Sequence, residues 1–287
     1  MNEKVDIFSL PIYKGLLRLA WPIVLTNLLQ TIYNITDAFF LGKLGTVEFS
    51  APTVTFPVVF ILISLAMGFS HAATSMIAQY TGMKNKPLAE KSAAQVILTL
   101  LSLSLFIMLL GYLFSEGILR WMNISAELFE SALGYLRIMI LAIPFIFFTE
   151  LFSSIFRGWG NSVIALRMMF FAVIFNIILD PIFIFVLDLG VQGAAIATLI
   201  ARGTAACYFL YVLISNQLGF TVHMKDFRPD FKMFKKVLTI GLPGSIGQSV
   251  TAVGFTFIMS VVAGFGTTVI SIYGIGQRVL SMVTMFA

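Results

Sequence analysis

Cysteine, histidine and charge are all scarce in this 287-residue chain. One cysteine, Cys207, excludes a disulfide within the chain, and its place in an apolar span argues against a metal cluster. The two histidines, one of them His71, add no ligand pattern, and His71 suits helix packing. Charged residues make up only 11%, against roughly 25% in a soluble domain. With 59% hydrophobic residues and 29 phenylalanines, the chain reads as lipid-soluble.

Apolar stretches long enough to cross a ~30 Å hydrocarbon core recur near 15–42, 52–80, 93–115, 132–156, 164–186, 190–215, 233–263 and from about 270 onward. The pattern predicts an all-α polytopic membrane bundle with seven complete spans and an eighth begun. Lys and Arg gather in alternate loops: the N-terminus (Lys4, Lys14, Arg18), 80–92, 157–167 and 216–236. Basic residues near span ends stay cytoplasmic, so the N-terminus is expected inside. The net charge of +5 follows from that topology, with the lipid bilayer as partner and no nucleic acid expected. The first apolar run is too long for the core of a secretory signal, and no small-residue cleavage site follows it.

A shift of 221 positions lays the first span on the seventh without a gap. Lys14 falls on Lys235, Leu17 on Leu238, Pro22 on Pro243, Gly45 on Gly266, Thr46 on Thr267 and Ser50 on Ser271. Six spans separate the two starts, so the copies are parallel and related by an axis along the membrane normal. The expected organisation is a six-helix lobe at 1–215, a linker at 216–232 and the beginning of a second lobe at 233–287. Because the second copy stops at Ala287 inside an apolar run, the chain is expected to be a fragment of a twelve-span protein. The remainder of that second lobe is then a partner.

Two carboxylates interrupt the apolar runs. A mid-span Asp costs about +2.5 to +3.5 kcal/mol on the insertion scale, and such a group usually serves an ion or proton pathway. In the first span Asn27, Gln30, Asn34 and Asp37 share one helical face, bordered by Tyr33. Asn27 and Gln30 suit helix–helix hydrogen bonding as well as a cavity. In the fifth span Asn176 and Asp180 are i, i+4 neighbours, and Pro181 frees backbone carbonyls one turn earlier. Thr198 lies in the sixth. Counted from the ends of the spans, these four groups fall about 7 to 15 Å deep, in one layer. Two carboxylates, an amide and a hydroxyl form a hard-oxygen set suited to Na⁺ or a shared proton. The seventh span carries Ile258 and Phe255 where the first has Asp37 and Asn34, so ion chemistry is expected in the first lobe only. Arg202 fits a substrate or gating role, or a structural pair with Glu150 or a helix carbonyl. Arg278, beside Gln277, is equally open.

Pro22 and Asp37 in the first span, the RGWGN run at 157–161, NIILDP at 176–181 and GAAIAT at 193–198 together resemble the multidrug and toxic compound extrusion (MATE) family. The resemblance implies an inner-membrane antiporter, not an enzyme, that expels small cationic amphipathic compounds in exchange for Na⁺ or H⁺ and has no other cofactor. It implies that Asp37, Asn176, Asp180 and Thr198 are its cation site, with Tyr33 beside it and Pro22 at the bend of the first helix; Asn34, Gln30 and Arg202 are further candidates, from their place in the spans, for substrate contact or support. A lipid-linked saccharide flippase of the same superfamily is the alternative, although Arg202 and Arg278 are few cations for a pyrophosphate head group. A polytopic membrane enzyme of the prenyl-transfer type would need Asp-rich pairs for Mg²⁺–diphosphate, which the loops lack. No filter-like run supports a channel.

Overall fold

The computed structural model describes residues 11–215 and 219–284. Lys4, linker residues 216–218 and Ala287 lie outside the described residues. Within them the chain forms α1 (Ile12–Gly42), α2 (Thr46–Gly82), α3 (Lys86–Trp121), α4 (Ala126–Trp159), α5 (Ser162–Pro181), α6 (Gly190–Ile214), α7 (Phe231–Ala263) and α8 (Thr267–Thr284), with no strand among the described residues. A π-helical turn, Ile182–Val186, extends α5, and a 3₁₀ turn, Met224–Phe227, lies between α6 and α7. Seven helices, α5 counted with its π turn, are long and apolar enough to span a membrane. The expected eighth span opens as α8, whose described part is not among those seven.

In hydrocarbon each backbone N–H and C=O needs a partner within its own segment, which makes helix the form that these apolar runs adopt. α3 and α7 begin ahead of their hydrophobic stretches, where polar side chains cap them. Asn85 accepts the Leu88 N–H at 3.2 Å ahead of α3, with Pro87 in the first turn. Asp230 accepts the N–H groups of Lys232 and Met233 to open α7. The turns before α2 and α8 use Gly45 (φ 152°) and Gly266 (φ 95°), backbone conformations that favour glycine.

α2 sits at the centre. Of its most apolar window 61% is buried, against 11% for α1. It packs along α4, α7 and α3, and small residues let the backbones approach. A Cβ added to Gly68 would lie 2.4 Å from the Ser245 Cα of α7, and one on Gly158 of α4 would lie 2.8 Å from the Thr74 carbonyl oxygen. Buried side chains form two clusters. Phe69, Phe147, Phe152, Phe156 and Phe220 fill the half nearer the α6–α7 linker, and Leu41, Val54, Leu119, Leu136 and Ile140 fill the half nearer the α1–α2 turn.

The described part of the linker is clasped to α3. Gln95 donates to the carbonyls of Asp226 (2.6 Å) and Arg228 (2.8 Å) and accepts from the Asp230 N–H at 3.0 Å. Glu90 accepts the Thr221 N–H at 2.8 Å. Lys91 meets Asp230 at 2.6 Å; its hydrogen bond, with those from the capped N–H groups, holds the Asp230 carboxyl below the usual carboxylate range.

Candidate functional site

α1 and α5 pack against each other and bring the two intramembrane carboxylates together. On α5 Asn176 and Asp180 are fully buried, and the Asn176 amide donates to Asp180 Oδ1 at 3.0 Å. That bond uses one oxygen of three. Asn176 Oδ1 and Asp180 Oδ2 remain buried with no hydrogen-bond donor, and so does Asp37 Oδ1 on α1. Asp37 and Asp180 interact electrostatically. Three orphaned acceptors, two of them carboxylate oxygens, are an arrangement that needs a positive charge or a proton, because an unsatisfied buried polar group costs about 1–3 kcal/mol.

Pro181 shapes the end of this face. Just past it the ladder widens to a π turn, with the Leu187 N–H reaching the Ile182 carbonyl at 2.9 Å. α6 approaches that turn at Gly193, where a Cβ would stand 2.5 Å from the Phe183 carbonyl oxygen. This approach sets α6 so that Thr198 reaches Tyr33 of α1, hydroxyl to hydroxyl at 2.5 Å. Thr198 therefore joins the cluster through Tyr33.

Around this centre Gln30 donates to Asn34 at 3.1 Å, and the Arg202 guanidinium donates to Gln30 at 3.1 Å while lying over the Tyr33 ring at 5.8 Å. Arg202 thus ties α6 to α1. Of the alternatives left open for Arg202, the pair with Glu150 is not formed among the described ion pairs; Glu150 interacts electrostatically with Arg157, in its own helix. Asn27 and Asn34 are exposed, as is His71. Pro22 is buried inside a continuous α1, and Thr26 donates to its carbonyl at 2.7 Å.

One participant escaped the sequence reading, and another, Arg278, was singled out there with its role left open. Tyr135 of α4 is buried and interacts electrostatically with Asp37, Tyr33 and Asp180. Arg278 of α8 interacts electrostatically with Asp37 and lies over the Phe49 ring at 4.5 Å. Tyr135 has no sequence signal, and Arg278 has one only as a cation inside a span; the partners of both are set by packing of distant helices. The polar centre therefore draws on the second copy as well as the first. Among the described residues no group of three His, Cys, Asp or Glu is placed to hold a metal. The donors available to a cation are hard oxygens, which fit Na⁺.

These features define a polytopic helical membrane protein with a polar centre buried in its bundle. The chain belongs to the MATE family, whose model, MatE, matches residues 22–182. It is similar to the probable multidrug resistance protein YpnP of Bacillus subtilis, at 31% identity over 96% of this chain and 61% of the relative. It is also similar to the multidrug export protein MepA of Staphylococcus aureus, at 30% identity over 94% and 60%. The chain thus spans about three-fifths of the length of these curated relatives. Among solved structures, a MATE protein in complex with MaD3S superposes with a TM-score of 0.85 at 27% identity, covering 99% of this chain and 66% of that one. A MOP superfamily transporter from Pyrococcus furiosus, described as having a binding pocket of reverse polarity that suggests a different function, gives 0.84 at 27%, covering 99% and 67%.

Proposed function

We propose that the chain serves a secondary active antiporter that exports cationic amphipathic compounds in exchange for Na⁺ or H⁺. It resides in the inner membrane with the N-terminus cytoplasmic, a placement supported by the Lys and Arg residues of alternate loops. The observation that carries the coupling role is the trio of buried, donor-free oxygens, Asp37 Oδ1, Asn176 Oδ1 and Asp180 Oδ2, on two helices in contact. Na⁺ or a proton offsets the two carboxylates, Asn176 fixes one Asp180 oxygen so that the other stays available, and Tyr33 with Thr198 holds α1 to α6 around the bound ion. Pro22 leaves the Arg18 carbonyl without its helical donor, and α1 bends there as the site changes exposure. An ion drives the change only by binding the two conformations differently.

The test is Asp180→Asn in proteoliposomes with Na⁺ and pH gradients imposed separately. Asparagine keeps size and hydrogen-bonding capacity and removes the charge. Gradient-driven efflux should be lost while equilibrium drug binding to the same purified protein falls less. Efflux at the unmodified rate would refute the mechanism.

A further inference from the structure

The clasped linker presents a surface that ion coupling does not use. Its acids are consumed internally. Asp226 Oδ2 accepts the His223 N–H at 3.4 Å to close the 3₁₀ turn, and Asp230 spends one oxygen on Lys91 and the other on the N–H groups that open α7. Its cations are not consumed: Lys225, Arg228, Lys232 and Lys235 are exposed, and no ion pair engages them among the described residues. Between them two large apolar side chains are held in the open, Met224 at 81% exposure and Phe231 at 84%.

Cations interleaved with exposed aromatic or aliphatic side chains characterise segments that lie in a membrane interface. The position agrees. α7, with 33 residues, is about 50 Å long and overruns the ~30 Å hydrocarbon core, which leaves its first turns at headgroup depth. Phe231 and Phe234 share the helical face that continues through Leu242 and Ile246, all exposed along α7. We propose that this linker face, Met224, Lys225, Arg228, Phe231, Lys232 and Lys235, binds anionic phospholipid headgroups, with the two apolar side chains inserted beneath the phosphates. Clasping by Gln95, Glu90 and Lys91 supplies the rigidity: the face is ordered before the lipid arrives, so association does not bear the entropy of folding a loose loop.

A bilayer is favoured over a soluble acidic partner because charge alone does not explain Phe231. The experiment places an NBD dye on Met224→Cys in a Cys207→Ser background, which exchanges one apolar group for another, and reconstitutes the whole chain in nanodiscs of phosphatidylcholine with or without phosphatidylglycerol. Quenching by headgroup-proximal spin-labelled lipid should rise with phosphatidylglycerol and fall again in high salt. Replacing Lys225, Arg228, Lys232 and Lys235 by Gln should weaken this response by about fivefold per cation removed. Equal quenching in the two bilayers overturns the proposal without recourse to any charge variant. So does a response reproduced in phosphatidylcholine alone by inorganic phosphate or by polyglutamate.

Discussion

Ser50 and Ser271 stand 221 residues apart in sequence and meet hydroxyl to hydroxyl at 2.7 Å. Each also reaches the opening turn of the other's helix: Ser50 Oγ lies 3.1 Å from the Thr267 carbonyl oxygen and Ser271 Oγ lies 3.3 Å from that of Thr46. Thr46 and Thr267 are themselves 221 apart. Residue i on j and j on i is the reciprocity of a two-fold contact. One turn further along, Gly274 faces Thr53 at the same separation, where a Cβ would lie 2.6 Å from Thr53 Oγ1. The shift seen between the letters of α1 and α7 thus reappears as an axis between α2 and α8.

Hydroxyls 2.7 Å apart keep the two Cβ atoms within about 5.5 Å of each other, near enough for a disulfide to form with a small adjustment. Ser50→Cys with Ser271→Cys, in a Cys207→Ser background, should oxidise to an intramolecular cross-link visible by mass spectrometry. It should stop efflux until reductant is added, because α2 and α8 can then no longer part at this end. A cross-linked protein that transports at full rate would show that the contact persists through the cycle.

Tyr33 and Thr198 make a second measurable pair. Tyr33→Phe and Thr198→Val each remove one hydroxyl from a buried contact, and each should lower stability by about 1–2 kcal/mol. Because the hydroxyls serve each other, the double variant should lose little more than either single one, with a coupling of about 1–2 kcal/mol in a thermal double-mutant cycle. Strict additivity would mean that α1 and α6 are held by other contacts.

Much of this architecture was legible from residue order, and the boundary is a physical one. Hydropathy marks spans because lipid imposes the same demand on every helix, and i, i+4 spacing alone placed Asn176 against Asp180. Asp37 stood out for its insertion cost. Tyr135 did not, since a tyrosine in a membrane helix is unremarkable, and Arg278 stood out as a cation inside a span without showing its partner, which packing chooses. The pairing of Arg202 with Gln30 rather than Glu150 was lost for the same reason. Gln95 was invisible too: one amide serving three backbone groups of a distant linker leaves no periodic trace.

The clasp can be loosened in two ways. Gln95→Leu removes two donors and one acceptor from the linker backbone, at about 1–3 kcal/mol for each group left buried, and should speed alkylation of a cysteine placed at Val222, which is buried in the clasped linker. Acid provides the second route. Asp230 has its carboxyl held below the usual range by Lys91, so this contribution is fully present above the unfolded value near 3.9 and disappears as pH falls through the lower folded one. Alkylation at 222, taken relative to a free thiol at the same pH because the thiolate is the reactive form, should therefore be flat from pH 7 to about 5 and rise only below about 4, with Lys91→Gln moving that rise to higher pH.

Arg278 offers the sharpest test of the polar centre. Its guanidinium is a resident positive charge facing Asp37 from a helix outside the first six, while Asp37 and Asp180 repel each other across the α1–α5 contact. Arg278→Gln takes that charge away and leaves the orphaned oxygens in place. The pair of carboxylates then depends more heavily on an added cation or proton, and a ligand that binds only the folded form stabilises it by RT ln(1 + [L]/Kd). The melting temperature of Arg278→Gln should consequently rise more steeply with NaCl than that of the unmodified protein, whereas choline chloride at equal ionic strength should have no such effect. Adding Asp37→Asn should flatten the slope again, because one carboxylate no longer has a like charge to share the site with. An Arg278→Gln protein whose stability ignores Na⁺ would place Arg278 outside the ion chemistry and leave it a packing residue over Phe49.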